Sequence, residues 1–208
     1  LPVDGDDLLT LLDAVGEVPL PPYLAEARLD DPERYQTVYA RRPASAAAPT
    51  AGLHLTEPLL ERMVEQGATI VRVELVVGLG TFRPISTSRV EDHRMHVERY
   101  EIAAEAWAQI RAARRVVAVG TTSVRALETA AATGELTGRS DLFIRRPYPW
   151  AVVDVLMSNF HQPRSSLLVM IDAFVGPRWR DLYRHALDGE YRFLSFGDAM
   201  WVHRQGTS

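Results

Sequence analysis

The chain has 208 residues, 47% of them apolar and 24% charged, with a formal net charge of −4 and no cysteine. This is enough for one large α/β domain or two small ones around a sizeable core. It excludes a disulfide framework, a thiolate nucleophile and a cysteine-based zinc site, and is what a reducing cytosol permits. No run of about 18 apolar residues appears, so no membrane-spanning helix and no membrane partner are expected.

The sequence opens at Leu1 without a methionine, and residues 1–22 read as a connecting segment from an upstream domain that is missing. Residues 23–203 read as an α/β catalytic domain and 204–208 as a tail. Leu8–Val15 suits a short helix that Pro19-Leu20-Pro21-Pro22 stops, and Pro32–Tyr39 a second short helical or irregular stretch. Residues 41–51 form a loop rich in small residues and proline. Thr56 caps a helix with Pro58 in its first turn, an apolar stripe of Leu59, Leu60, Met63 and Val64, and Gly67 at its end. Thr69–Val77 alternates as a strand. The stretch from Gly78 to Arg94 is irregular, Tyr100–Ile102 a short strand and Ala103–Ala113 a helix. Val116–Val119 is a continuous apolar run, read as a buried, parallel strand. It turns at Gly120 into a helix with Val124, Leu127 and Ala131 on its stripe. Leu142–Ile144 and Val152–Leu156 are further strands, Ser165–Phe174 and Trp179–Leu187 further helices, and Tyr191–Val202 part turn and part strand. Strands alternating with helices give an α/β layered domain with a largely parallel or mixed sheet flanked by helices.

Such sheets bind ligands at the carboxyl ends of their strands, and several motifs fall there. In V-G-T-T-S-V-R (119–125), the free N–H groups of a helix start and the hydroxyls of Thr121, Thr122 and Ser123 suit a carboxylate or phosphate, with an ordinary helix cap as the alternative. In V-G-L-G-T-F-R-P (77–84), Gly78 and Gly80 permit a tight turn beside a ligand, Phe82 a stack and Arg83 an anion contact. The dinucleotide fingerprint G-x-G-x-x-G is not completed there, and a sharp turn is the plain alternative. D-H-R-M-H-V-E (92–98) offers His93, His96 and Glu98. A metal site would need a further ligand that the sequence does not specify, leaving acid–base work, substrate binding or structural hydrogen bonding. S-N-F-H-Q-P-R-S-S (158–166) places Asn159 and His161 at a strand end, with Ser165 to cap the next helix. A-P-T-A-G-L-H (48–54) brings Gly52 and His54 before a helix, and F-G-D-A-M (196–200) a glycine turn with Asp198. Taken singly, each is better explained as structure than as function. All 23 basic residues are arginine, clustered at Arg41–Arg42, Arg111–Arg114–Arg115, Arg145–Arg146 and Arg178–Arg180–Arg184, where a local basic face can form on an acidic chain.

Together and in order, APTAGLH, VGLGTFRP, HRMHVE, VGTTSVRALE, SNFHQPRSSLL and YRFLSFGDAM resemble the S-adenosylmethionine:tRNA ribosyltransferase-isomerase (QueA) family of queuosine biosynthesis, and ERYQTVYA (33–40) is similar too. The resemblance runs from about Gly16 to Val202. It implies a multi-domain α/β fold whose inserted β-barrel domain is expected to be absent from this chain. It also implies a cytoplasmic, monomeric enzyme whose partners are S-adenosylmethionine and tRNA carrying 7-aminomethyl-7-deazaguanine at the wobble position. The product is epoxyqueuosine-tRNA, with adenine and methionine released. S-adenosylmethionine is a co-substrate, and no cofactor or metal is implied. A base removes a C5′ hydrogen acidified by the sulfonium, ring opening expels adenine, and the tRNA amine attacks the electrophile. The implied acid–base candidates are His54, His93, His96 and His161. The implied substrate-binding candidates are Thr50, Gly52, Gly78, Gly80, Thr81, Phe82, Arg83, Glu98, Thr121, Thr122, Ser123, Arg125, Tyr148, Asn159 and Asp198, with Thr121–Ser123 and Arg125 assigned to the donor's charged end. The sequence departs from the family pattern at Leu79, at Pro147 in Arg146-Pro147-Tyr148 and at Gln162. A diverged paralogue acting on another nucleoside or S-adenosylmethionine-derived substrate, or a non-catalytic RNA-binding module, is therefore the alternative.

Overall fold

The computed structural model describes residues 10–11, 14–16, 19–24, 31–78 and 85–206. Of the Leu8–Val15 helix, Thr10, Leu11, Ala14 and Val15 are helical and the rest lies outside the described residues. Helix α1 (Glu57–Glu65) begins as expected at Thr56, whose hydroxyl accepts the Leu59 N–H at 3.4 Å. It stops before Gly67, at φ +89°, a conformation that glycine adopts without strain. Of its stripe only Leu60 is buried, and Val64 is exposed, because the helix lies at the edge of the molecule.

Two three-stranded sheets follow. The first joins β1 (Glu74–Val76), β2 (Glu98–Glu101) and β4 (Thr137–Ser140) in the order β1-β2-β4, all antiparallel. The second joins β3 (Val117–Val119), β5 (Val155–Asn159) and β6 (Ala199–His203) in the order β3-β5-β6. There β3 and β5 run parallel and β5 and β6 antiparallel, so the expected mixed sheet is present but only one pair is parallel. Helix α2 (Ala104–Ala112) links the sheets, and α3 (Thr121–Thr133) is the crossover leaving β3. Helix α4 (Ser166–Val175) starts at Ser165, whose Oγ accepts the Leu168 N–H at 3.2 Å, and α5 (Trp179–Asp188) follows after a 3-10 turn.

Helix α3 packs on strands of both sheets, and the core gathers around it. Val124, Leu156, Ile171 and Phe174 are fully enclosed, each burial contributing roughly 1.5–3 kcal/mol. The same helix buries two charges one turn apart. Arg125, 2% exposed, forms an ion pair at 3.2 Å with Glu98 of β2 and donates to the carbonyls of His96 and Ser140, both at 3.0 Å. Glu128, 1% exposed, accepts the N–H groups of Ala151, Val152 and Val153 at 2.9–3.0 Å. At one end of the second sheet, Asp154 accepts the Val116 N–H at 2.9 Å and pairs with Arg204 at 3.2 Å, joining the approaches to β3 and β5 to the exit of β6.

The structure differs from the sequence expectation at several strands. The Thr69–Val77 strand keeps only Glu74–Val76 in a ladder. Leu142–Ile144 is unpaired, and the strand lies just before it, at β4. Polar and glycine-containing, Thr137–Ser140 has no apolar alternation to announce it; β2 supplies its partner and the Tyr100 hydroxyl donates to the Glu135 carbonyl beside it. The strand expected at Val152–Leu156 starts three residues late because Glu128 has taken the N–H groups that a ladder would use. Val117, expected in a buried run, is 37% exposed because β3 lies at the sheet edge and β5 at its centre.

Glu98→Ala would leave the Arg125 guanidinium buried without its counter-charge and is expected to cost about 3–5 kcal/mol in urea unfolding. The paired change Glu98→Leu with Arg125→Met should cost less than that single substitution.

Candidate active site

Because β3 and β5 are parallel neighbours, the loops leaving them emerge side by side. Between them lies a hollow walled by the α3 start, the 158–165 segment, residues 47–51 and the turn at Leu194–Ser195. Gly120, at φ +86° and ψ +148°, provides the bend from strand to helix. Its N–H donates to the Met157 carbonyl at 2.9 Å, which ties the two strand ends together. As the N-cap, glycine brings no side chain to cover the first-turn N–H groups of α3, so the partial positive charge of the helix start faces the hollow. Thr121, Thr122 and Ser123 all line it, although the Ser123 hydroxyl donates back to the Val119 carbonyl at 2.8 Å.

The end of β5 supplies the second half. Thr50 Oγ1 donates to Asn159 Oδ1 at 3.3 Å, fixing the amide so that its Nδ2 lies 3.0 Å from His54 Nε2. An amide nitrogen can only donate, so His54 Nε2 accepts and the ring proton sits on Nδ1. Two residues on, His161 Nε2 lies 2.9 Å from the hydroxyl of buried Ser158, and its backbone N–H donates to the Tyr183 hydroxyl at 3.0 Å. Phe160 anchors this segment by packing its ring among Tyr183, Tyr191 and Phe193. Desolvation pushes the His161 imidazole down to about 4, so at neutral pH it is an uncharged ring able to accept a proton.

The other sequence candidates lie elsewhere. Arg125 and Glu98 face each other beneath β2, outside the hollow. His93 packs edge-on against Phe143, with burial first and then His96 holding its pKa below the usual value. His96 is exposed, and neither ring lines the hollow. Tyr148 stacks edge-on with Trp150. Asp198 accepts the Arg192 N–H at 2.7 Å and so closes the 192–198 turn. Gly52 is buried beneath Tyr39, and a side chain there would run into the Tyr39 hydroxyl and ring and the Thr37 methyl. Gly78 follows Val77, which lines the hollow. Leu79, Gly80, Thr81, Phe82 and Arg83 lie outside the described residues. Of the departures from the family pattern, Gln162 is a lining residue and Pro147 is not.

Sequence reasoning missed one wall of the hollow. Tyr23 and Ser195 meet through their hydroxyls at 2.6 Å and both line it. No local signal marks either residue, since 172 positions separate them. Ser158, inside a recognised motif, was likewise not singled out.

His161 takes up protons less readily when folded than when unfolded. Its contribution is therefore fully retained above about pH 6.5, its unfolded value, and is lost as pH falls toward 4. Urea unfolding should show the wild type losing on the order of 3 kcal/mol more than His161→Gln between pH 7.5 and pH 4. Gly52→Ala should lower the melting temperature markedly, and Gly78→Ala, where an added Cβ meets nothing within 4 Å among the described residues, should lower it less.

The chain is similar to known proteins of one family. The family model described as "Queuosine biosynthesis protein" matches residues 2–202. An S-adenosylmethionine:tRNA ribosyltransferase-isomerase from Trichormus variabilis is 49% identical over 207 residues, covering 96% of this chain and 50% of the relative. The crystal structure of an S-adenosylmethionine tRNA ribosyltransferase from Thermotoga maritima superposes with a TM-score of 0.61 at 40% identity, over 73% of this chain and 50% of that one. The chain thus spans about half the length of the relatives it matches. On its sequence and its fold alike, the chain belongs to the queuosine biosynthesis protein family.

Proposed function

We propose that the protein transfers and isomerises the ribosyl unit of S-adenosylmethionine onto 7-aminomethyl-7-deazaguanine in tRNA, in the cytoplasm, releasing adenine and methionine. The observation that carries this reading is the meeting, in one strand-end hollow, of an uncapped helix start, the Asn159 amide that His54 and Thr50 hold in place, and His161, whose pKa burial lowers. The names of the relatives support the same substrate pair.

Each group has a task that its chemistry suits. The methionine carboxylate of the donor sits at the N–H groups of Thr121–Ser123, where the helix dipole favours an anion. The Thr122 hydroxyl adds a donor. His161 accepts the C5′ proton: an imidazole that stays unprotonated at neutral pH is in the form a base requires. Ser158 orients that ring. His54, which does not line the hollow, acts through Asn159, holding through its Nε2 the amide that does. Tyr23 and Ser195 form the far wall. No resident metal enters these steps. The remaining candidates Gly80, Thr81, Phe82 and Arg83 belong to the same reading as substrate-binding residues.

Adenine release from S-adenosylmethionine, measured with precursor tRNA in the full-length gene product, tests the assignment. His161→Ala and Thr122→Ala are each expected to reduce turnover, the former by roughly 10²-fold or more, with unchanged circular dichroism. Wild-type rates in both variants would remove these residues from the site. Donor turnover without the tRNA amine would favour a diverged paralogue, a reading to which Gln162 in the hollow wall gives some basis. RNA retention without turnover would favour a binding module.

A further inference from the structure

A second depression lies on the other side of the 162–165 loop, and Ser165 lines both hollows. Its walls come from the 85–91 segment, Arg145–Arg146, Arg164, α4 and the start of α5. Four arginines face two carboxylates there, Arg145, Arg146, Arg164 and Arg180 against Glu91 and Asp172, on a chain whose overall charge is −4. Arg146 is engaged by Asp172 at 2.8 Å. Arg145, Arg164 and Arg180 are exposed and form no ion pair with a carboxylate among the described residues. Arg180 lies over the Trp179 ring at 4.7 Å, which orders its planar fork. Arg164 adopts φ +58°, an uncommon conformation for a residue other than glycine, and its carbonyl accepts the Ile85 N–H at 2.8 Å. The loop separating the two hollows is thus pinned to the far wall of the second.

We infer that this arginine groove seats the phosphate backbone of the tRNA, next to the hollow in which the modified base is presented. The inference rests on the proposed function for its partner, and on the groove's own charge and shape for its location. Guanidinium groups bind phosphate oxygens bidentately, and spaced arginines along a concave wall suit a strand of phosphates. The carboxylates of Glu91 and Asp172 interrupt the positive surface, which disfavours close approach to a flat, densely anionic membrane. With the chain net acidic, this patch is where a polyanion gains attraction rather than repulsion. A single loop, 162–165, then forms one wall of the site for the reacting base and one wall of the site for its backbone.

The test uses the chain itself, fluorescently labelled tRNA transcript, and anisotropy titrations over a series of salt concentrations. The triple variant Arg145→Ala, Arg164→Ala, Arg180→Ala is expected to bind at least ~10-fold more weakly, with the slope of log affinity against log salt reduced by about 2–3. The control Arg62→Ala with Arg99→Ala, exposed and outside the groove, should stay within about twofold of wild type by the same salt argument. Arg145→Gln and Arg180→Gln singly carry the same test if the triple variant melts early. Equal affinity in wild type and triple variant, an equal loss in the control, or no tRNA binding by the wild-type chain would each overturn the inference. So would groove-dependent binding to phosphatidylserine vesicles in place of tRNA. S-adenosylmethionine binding, followed separately by calorimetry, is expected to be unchanged in the triple variant. Its absence in the wild type would count against the donor site, while the groove is judged on tRNA affinity alone.

Discussion

Helix α3 is held by two buried charges of opposite sign, and the placement of the site depends on them. Arg125 grips β2 of the first sheet, while Glu128 grips the backbone that leads into β5 of the second. A helix that packs on two sheets through apolar contacts alone can rotate or slide at little cost. One that has to satisfy a guanidinium on one side and a carboxylate on the other cannot, because either charge left unmet in the interior costs several kcal/mol. The Glu128 carboxylate takes three N–H groups, which accounts for its own burial and for where β5 begins. The first turn of α3 is thereby fixed relative to the end of β5, and the hollow is the space between them.

The chemistry of the hollow follows from that fixed frame. Parallel pairing of β3 with β5 sends both exits the same way, and the Gly120 N–H bonded to the Met157 carbonyl sets their spacing. Asn159, the last residue of β5, reaches across to His54 and Thr50, so a turn from early in the chain is tied to the sheet by side-chain hydrogen bonds. His161 owes its uncharged state to the packing around it and its position to Ser158, Phe160 and Tyr183. His54 and His161 are therefore each held in place by neighbouring side chains.

Much of this was legible in the sequence. The caps at Thr56 and Ser165, the strand-to-helix bend at Gly120 and a strand within the closing Tyr191–Val202 stretch are local signals and appear where expected. Residues of the APTAGLH, VGTTSVR and SNFHQPR motifs meet in space, with Thr50, Thr122 and Asn159 lining one hollow. Other features depend on partners that a single sequence does not show. β4 is a strand because β2 lies beside it, and Gly52 is a glycine because Tyr39 lies over it. Within VGTTSVRALE the hydroxyl residues face the hollow, while the arginine and glutamate face the interior. The motif therefore records two constraints at once, and reading it only as a ligand site overlooks the structural one.

The Tyr23–Ser195 contact also bears on how the protein is made. Because these residues stand 172 positions apart, the wall they form cannot exist until nearly the whole described chain has left the ribosome. The same holds for the second sheet, whose β6 strand and Arg204 anchor come late in the described chain. Non-local pairing of this kind is acquired late and slowly. A nascent chain that stops short of Ser195 therefore presents the β3 and β5 loops without their enclosing partner.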